Sequence, residues 1–148
     1  MSALLFANQK GAARDLPNSG GDNESRCPCG SELELSSCCD RFLSGDSLAA
    51  SAEELMRSRY SAFVLGNEAY LLGTWHPDTR PSRVGFDSEQ RWLGLRIRDT
   101  EQGAAGDSMG YVEFVARFKI KGKGHRLHER SRFEWWQDRW YYRDGQHL

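Results

Sequence analysis

No apolar run in this sequence approaches the roughly 18 to 20 residues that cross a bilayer, and the mean hydropathy is −0.70, so an integral membrane protein is not expected. Neither sign of charge dominates. Twenty Lys and Arg meet 21 Asp and Glu for a net charge of −1, which argues against indiscriminate attraction to nucleic acid or anionic lipid but leaves room for a local patch. The N-terminus has no basic segment ahead of its apolar stretch, and that stretch breaks after Ala7. A secretory signal is therefore not expected, and the cytoplasm is the expected location. There is no internal repeat. The length of 148 residues excludes two large domains and suits one domain of ordinary size with a small appendage.

Aromatics are scarce at the front and cysteines are absent at the back. Of 17 aromatic residues only Phe6 and Phe42 precede Tyr60, whereas all four cysteines, Cys27, Cys29, Cys38 and Cys39, fall within thirteen positions. The payload for a core is thus C-terminal, and the first fifty or so residues cannot build one unaided. Residues 1–26, rich in Gly, Asn, Ser and Asp, read as a disordered tail, 27–45 as a cysteine segment and 46–148 as the main domain.

Within that domain the periodicity changes from helical to extended. Ser51 and Glu54 form a capping box, and Met56, Tyr60, Phe63 and Val64 follow at helical spacing up to Gly66. Asn67 caps a second short helix, which the His76-Pro77 step ends. Alternation then predicts strands over Trp92–Ile97, Val112–Phe118, Leu127–Trp135 and Trp140–Arg143. Turns are expected at Lys121–Gly124 and Gln137-Asp138, and Asp144-Gly145 also reads as a turn. Helices first and strands afterwards indicate an α+β fold, with helices on one face of a curved antiparallel sheet.

Four cysteines spaced as Cys27-Pro28-Cys29 and Cys38-Cys39 match the soft tetrahedral preference of zinc, and a structural site closes all four positions with protein. Gly30 permits the left-handed turn that aims backbone N–H groups at sulfur. Two disulfides are one alternative, disfavoured by compartment and by the strain of a vicinal Cys38–Cys39 bridge; free thiols in a loop are another, which leaves four oxidisable thiols without a function, and a redox dithiol is a third. Metal would order a segment too poor in apolar residues to fold by itself.

Cys27-Pro28-Cys29-Gly30-Ser31 followed by Cys38-Cys39 resembles the SEC-C zinc motif, which also occurs on the C-terminal tail of the preprotein-translocase ATPase. Further blocks, Leu55 to Phe63, Thr74 to Pro77, Trp92 to Leu95, Gly110 to Phe118, Glu129 to Phe133 and Trp140 to Gly145, are similar to the bacterial YchJ-like family. The resemblance covers about residues 27–145. It implies one zinc ion and a cone-shaped α+β domain like nuclear transport factor 2, in which sheet and helices enclose a cavity, and it implies no established activity.

Candidate lining residues of such a cavity are Arg59 and Tyr60, Trp75 and His76, Arg130 and Arg132, and Tyr141. His76 could serve as a general base for a small-molecule enzyme, isomerase- or dehydratase-like, although no carboxylate stands at a short fixed spacing from it. A binding or adaptor role is preferred, with the zinc segment docking on a protein or ribosomal partner. From Arg117 to Arg132 seven cations face Glu129 alone, so RNA binding through this hairpin is a further reading. The aromatics beside it, Phe118 and Phe133, point inward by alternation and offer no stacking platform. A zinc hydrolase is not expected, because four cysteines leave no open coordination position.

Overall fold

A computed structural model describes residues 26–148. Apart from Arg26, which bridges to Glu34, the expected tail at 1–26 lies outside the described residues. The cysteine segment contains a 3-10 turn, Leu35–Ser37, and a short helix α1, Asp40–Leu43. Helix α2, Ala52–Leu65, begins as its capping box requires: Ser51 Oγ accepts from the Glu54 N–H at 3.1 Å, and Glu54 Oε1 accepts from the Ala50 N–H at 2.8 Å. Gly66, at φ 73°, ends it. Asn67 Oδ1 then accepts from the Tyr70 N–H and starts α3, Glu68–Gly73.

Four strands follow, β1 (Gln90–Gln102), β2 (Met109–Ile120), β3 (Lys123–Trp136) and β4 (Arg139–His147), paired antiparallel in chain order. Each runs past its apolar stretch into polar residues, whose ladder bonds alternation in hydrophobicity does not register. Asp144-Gly145 accordingly is not a turn. Asp144 pairs with Arg132 and Gly145 with Ser131 in the β3–β4 ladder, and a bidentate Arg132–Asp144 ion pair holds this stretch extended. The true turns sit at Lys121-Gly122 and Gln137-Asp138. Both residues of each have positive φ, the backbone that follows the natural twist of a two-residue hairpin.

The inner face of the sheet carries Val112, Phe114 and Ala116 from β2, Leu127 and Phe133 from β3, and Trp140 and Tyr142 from β4, all buried. Helix α2 lies across that face, with Tyr60 and Phe63 against Trp92 at ring separations of 5.4 and 6.1 Å. The helix is buried on its other flank too, where Ser61 meets Cys27 of the cysteine segment and Ser58 meets the Tyr70 hydroxyl of α3. The layers thus run cysteine segment, helix, sheet. Residues Thr74 to His76 pair with the edge of β4 through Tyr142 and cover part of it. Among the described residues no helix is long and apolar enough to cross a membrane.

Candidate metal centre and polar clusters

Gly30 has φ 86° and its α-carbon faces the Leu95 carbonyl, where a Cβ would stand at 3.2 Å. The turn it permits directs the Cys29 and Ser31 N–H groups at the sulfurs of Cys27 and Cys29. The 3-10 turn and the start of α1 return the chain so that Cys38 and Cys39 meet the first pair. All four Sγ atoms lie within 4.8 Å of one another, with 3.7 Å between Cys29 and Cys38 and 4.0 Å between Cys38 and Cys39. A tetrahedral ion with Zn–S bonds of about 2.3 Å places its sulfurs about 3.8 Å apart, so the donor set fits zinc in both chemistry and spacing.

The surroundings suit a thiolate cluster. Arg57 Nη1 donates to the Cys29 carbonyl at 2.9 Å and reaches Cys29 Sγ at 3.9 Å, while its Nε is held by Glu53 at 3.0 Å. Ser61 Oγ lies 3.4 Å from Cys27 Sγ and Ser31 Oγ 3.1 Å from Cys38 Sγ. As thiols the four share protons unequally. Hydrogen bonds from Cys27 and Cys39 hold Cys29 far below the ordinary thiol range; Cys27, the donor to Cys29, is pushed up although it accepts from Cys39, and Cys39, the donor to both, is pushed up as well. A divalent cation displaces these protons. Exposure is 0% at Cys29, 1% at Cys39, 4% at Cys27 and 6% at Cys38, so such a site is closed on every side. Nothing in the sequence marks Arg57, Ser31 or Ser61 as partners of the cluster. Arg57 and Ser61, four residues apart on one helix, carry a signal only once the segment is known to pack there.

The seven candidate pocket residues do not meet in one cavity. Arg59 is buried inside the fold, where Nη1 donates to the Leu71 carbonyl at 2.8 Å and to Thr74 Oγ1 at 2.7 Å, and its guanidinium lies over the rings of Trp75 and Tyr142. Burial lowers its pKa to about 10. Tyr60 is equally buried, and burial raises its phenol despite a hydrogen bond from the Gly94 backbone. Trp75 is edge-on to Tyr142 at 5.0 Å.

Arg130 and Arg132 face the other side of the sheet, since on β3 the inward positions are Leu127, Glu129, Ser131 and Phe133. They border an open groove of about 400 Å³ with Tyr111 and Asp144. Arg130 is paired with Asp99, Glu101 and Glu113, and Arg132 with Asp144. His76 and Tyr141 form a third group at the β4 edge. The His76 ring, 3% exposed as a residue, accepts from the Asp78 N–H at Nδ1, has Glu134 Oε1 at 3.7 Å from Nε2, and lies 4.8 Å from the Trp136 ring and 6.0 Å from that of Tyr141. Two carboxylates therefore flank the ring, contrary to the expectation that none stands at a short spacing: Asp78, two residues on, has Oδ2 3.8 Å from Nδ1, and Glu134 comes from a distant strand. A separate groove of about 400 Å³, bordered by Phe42, Leu48, Tyr70, Arg139 and Trp140, contains none of the seven.

Comparison with known proteins agrees with this architecture. The family described as YchJ, middle NTF2-like domain, matches residues 51–145. A UPF0225 protein of Chromobacterium violaceum is 51% identical over 123 residues, covering 80% of this chain and 90% of that one. The solution structure of a SEC-C motif containing protein from Rhodopseudomonas palustris superimposes with a TM-score of 0.72 at 36% identity, covering 82% of this chain and 98% of the other. The crystal structure of a SEC-C motif containing protein from Psychrobacter arcticus gives 0.64 at 29% identity, covering 80% of each. With a closed cysteine cluster packed on an α+β domain of matching sequence and fold, the chain belongs to the YchJ-like, UPF0225 family of SEC-C motif proteins.

Proposed function

We propose that this protein is a cytoplasmic, zinc-binding accessory or adaptor protein in which Cys27, Cys29, Cys38 and Cys39 hold one structural zinc ion. The observation that carries the reading is the closed set of four buried sulfurs at tetrahedral separations. When bound, zinc supplies charge and rigidity here, not an open position for water. Binding is favoured over isomerase- or dehydratase-like catalysis because the candidate residues are divided among the interior, the outer sheet face and the β4 edge, and Arg59 and Tyr60 themselves fill the interior. Docking of the cysteine segment on a protein or ribosomal partner is supported by Leu33, which stands 52% exposed on its rim beside a groove of about 350 Å³ that also meets Cys38, Arg41 and Arg57.

Native mass spectrometry of the full chain tests the metal assignment. One zinc per chain is expected, with none in the Cys38→Ser/Cys39→Ser variant; no zinc in the parent, or zinc retained by the variant, refutes it. The docking part predicts that Leu33→Asp weakens co-sedimentation with ribosomes while zinc stays at one per chain. Unchanged co-sedimentation, or none by the parent, removes that part alone.

A further inference from the structure

The sequence places seven cations between Arg117 and Arg132, but the fold sorts them differently. Arg130 and Arg132 are spent on carboxylates, and Lys121 pairs with Glu89. Arg117, Lys119, Lys123 and Arg126 make no ion pair among the described residues; Lys123, opposite Ile120, takes the parity of the other face, and β1 adds Arg91 and Arg96 beside the remaining three. All five are exposed.

Strand register puts them on one surface. Arg91 is directly opposite Lys119 and Arg117 directly opposite Arg126, while Arg96 faces Val115, two residues from Arg117 on the same side of β2. That side is the outer one, since Ala116 and Phe118 between them join the core. Directly opposed like charges destabilise a sheet, and here two such pairs stand on adjacent ladders; Glu89, the acid that borders the Arg91–Lys119 end, is paired with Lys121. Folding alone does not account for that arrangement. A bound polyanion does.

We propose that Arg91, Arg96, Arg117, Lys119 and Arg126 form a binding surface for the phosphate backbone of double-helical RNA. At ordinary sheet spacings the five cover a flat area of about 10 by 13 Å. No exposed aromatic ring lies among them, and Phe118 is stacked on His125 at 5.2 Å, so bases have nothing to stack on. Contacts are therefore to phosphate and sugar. The wide, shallow minor groove of A-form RNA offers phosphates and 2′-hydroxyls to a flat face, whereas B-DNA is read by an element inserted into its major groove. The single exposed large apolar side chain nearby, Leu93 in the β1 bulge, falls short of what anchors a protein to a membrane. This surface does not include the cysteine segment, so it stands or falls independently of the zinc and docking assignments.

The test is titration of the zinc-loaded full chain against a 20-base-pair RNA duplex of arbitrary sequence, the matching DNA duplex, and phosphatidylserine vesicles. The RNA duplex is expected to bind, losing roughly 50- to 140-fold in affinity as salt triples if four to five phosphates are neutralised. Arg117→Glu/Lys119→Glu should weaken it at least tenfold. Each change sets a carboxylate opposite a cation, so the variant is expected to fold, with an unchanged circular dichroism spectrum as the check. Arg132→Ala, at a paired cation, should bind as the parent does. Absent or salt-insensitive RNA binding, or binding unaffected by the double reversal, overturns the proposal. Equal affinity for DNA overturns the RNA assignment, and preference for vesicles replaces it with a membrane surface.

Discussion

The carboxyl group of Glu129 lies against the bare α-carbon of Gly145. A Cβ on Gly145 would stand 2.7 Å from Glu129 Cδ, so the space a side chain would occupy on β4 is taken by a fully buried acid from β3. Ser131 Oγ donates to Glu129 Oε2 at 2.9 Å, and His147 Nε2 lies 3.7 Å from Oε1. Gly145→Ala should therefore destabilise the fold by about 1 to 3 kcal/mol, the range of an overpacked core. In a Glu129→Ala background the same change should cost at least about 1 kcal/mol less, as read by a denaturant double-mutant cycle. Equal costs in both backgrounds would show that the two residues do not share this space.

Zinc removal should reach far beyond the cysteine segment. Read from sequence, metal orders a short stretch and its loss disorders that stretch alone. In the structure the four cysteines belong to the same buried cluster as Leu55 and Met56, and Ser61 and Arg57 of α2 touch them. Chelation, or Cys38→Ser with Cys39→Ser, is expected to remove at least about 3 kcal/mol and lower Tm by about 10 °C or more, a large fraction of ordinary domain stability. Tryptophan fluorescence is the useful probe, because all five tryptophans lie in the α+β portion. An unshifted melting transition with zinc gone would mean that the segment is a detachable appendage.

What could be read in advance divides along a physical line. Ser51, Glu54, Gly66 and Asn67 act through neighbours within one turn, and the cysteine pattern fixes its own donor chemistry, so both were legible. Glu129 also carried a local signal: it falls at the same alternating parity as Leu127, Ser131 and Phe133, an acid at an inward position. That Arg130 and Arg132 face outward follows from the same parity. What could not be read is the partner of each polar group. The pairing of His76 with Glu134, or of Arg57 with Cys29, joins positions 58 and 28 residues apart and depends on how α2 lies between two layers.

Arg59 is expected to tolerate loss of charge better than loss of shape. Its planar guanidinium lies over the faces of Trp75 and Tyr142, 5.0 and 4.6 Å from the ring centroids, and meets two oxygens from one nitrogen. Burial depresses its pKa to about 10, so the charge is held at neutral pH against desolvation. Arg59→Lys keeps a charge but replaces the flat group with a more strongly hydrated ammonium, whereas Arg59→Met keeps most of the volume without a charge to desolvate. Urea unfolding should place Arg59→Lys below Arg59→Met by about 1 kcal/mol or more. The reverse order would show that the cation itself stabilises this core.

Arg57 should set zinc affinity without being a ligand. Four thiolates on one Zn²⁺ leave a net charge of −2, and the Arg57 guanidinium reaches the cluster, 3.9 Å from Cys29 Sγ and hydrogen-bonded to the Cys29 carbonyl at 2.9 Å. Glu53, one turn earlier, fixes its direction through Nε at 3.0 Å. Outer partners of this kind typically contribute 10- to 100-fold in metal affinity. Arg57→Met is expected to weaken zinc by about that factor in competition with a chromophoric chelator, Arg57→Lys by less, and Glu53→Gln least, since the guanidinium then loses only its orientation. The salt dependence separates the two parts of the effect: if charge dominates, the difference between parent and Arg57→Met shrinks as ionic strength rises, whereas if the carbonyl bond dominates it persists. Equal zinc affinity for all four proteins would reduce Arg57 to a packing residue that ties the segment to α2.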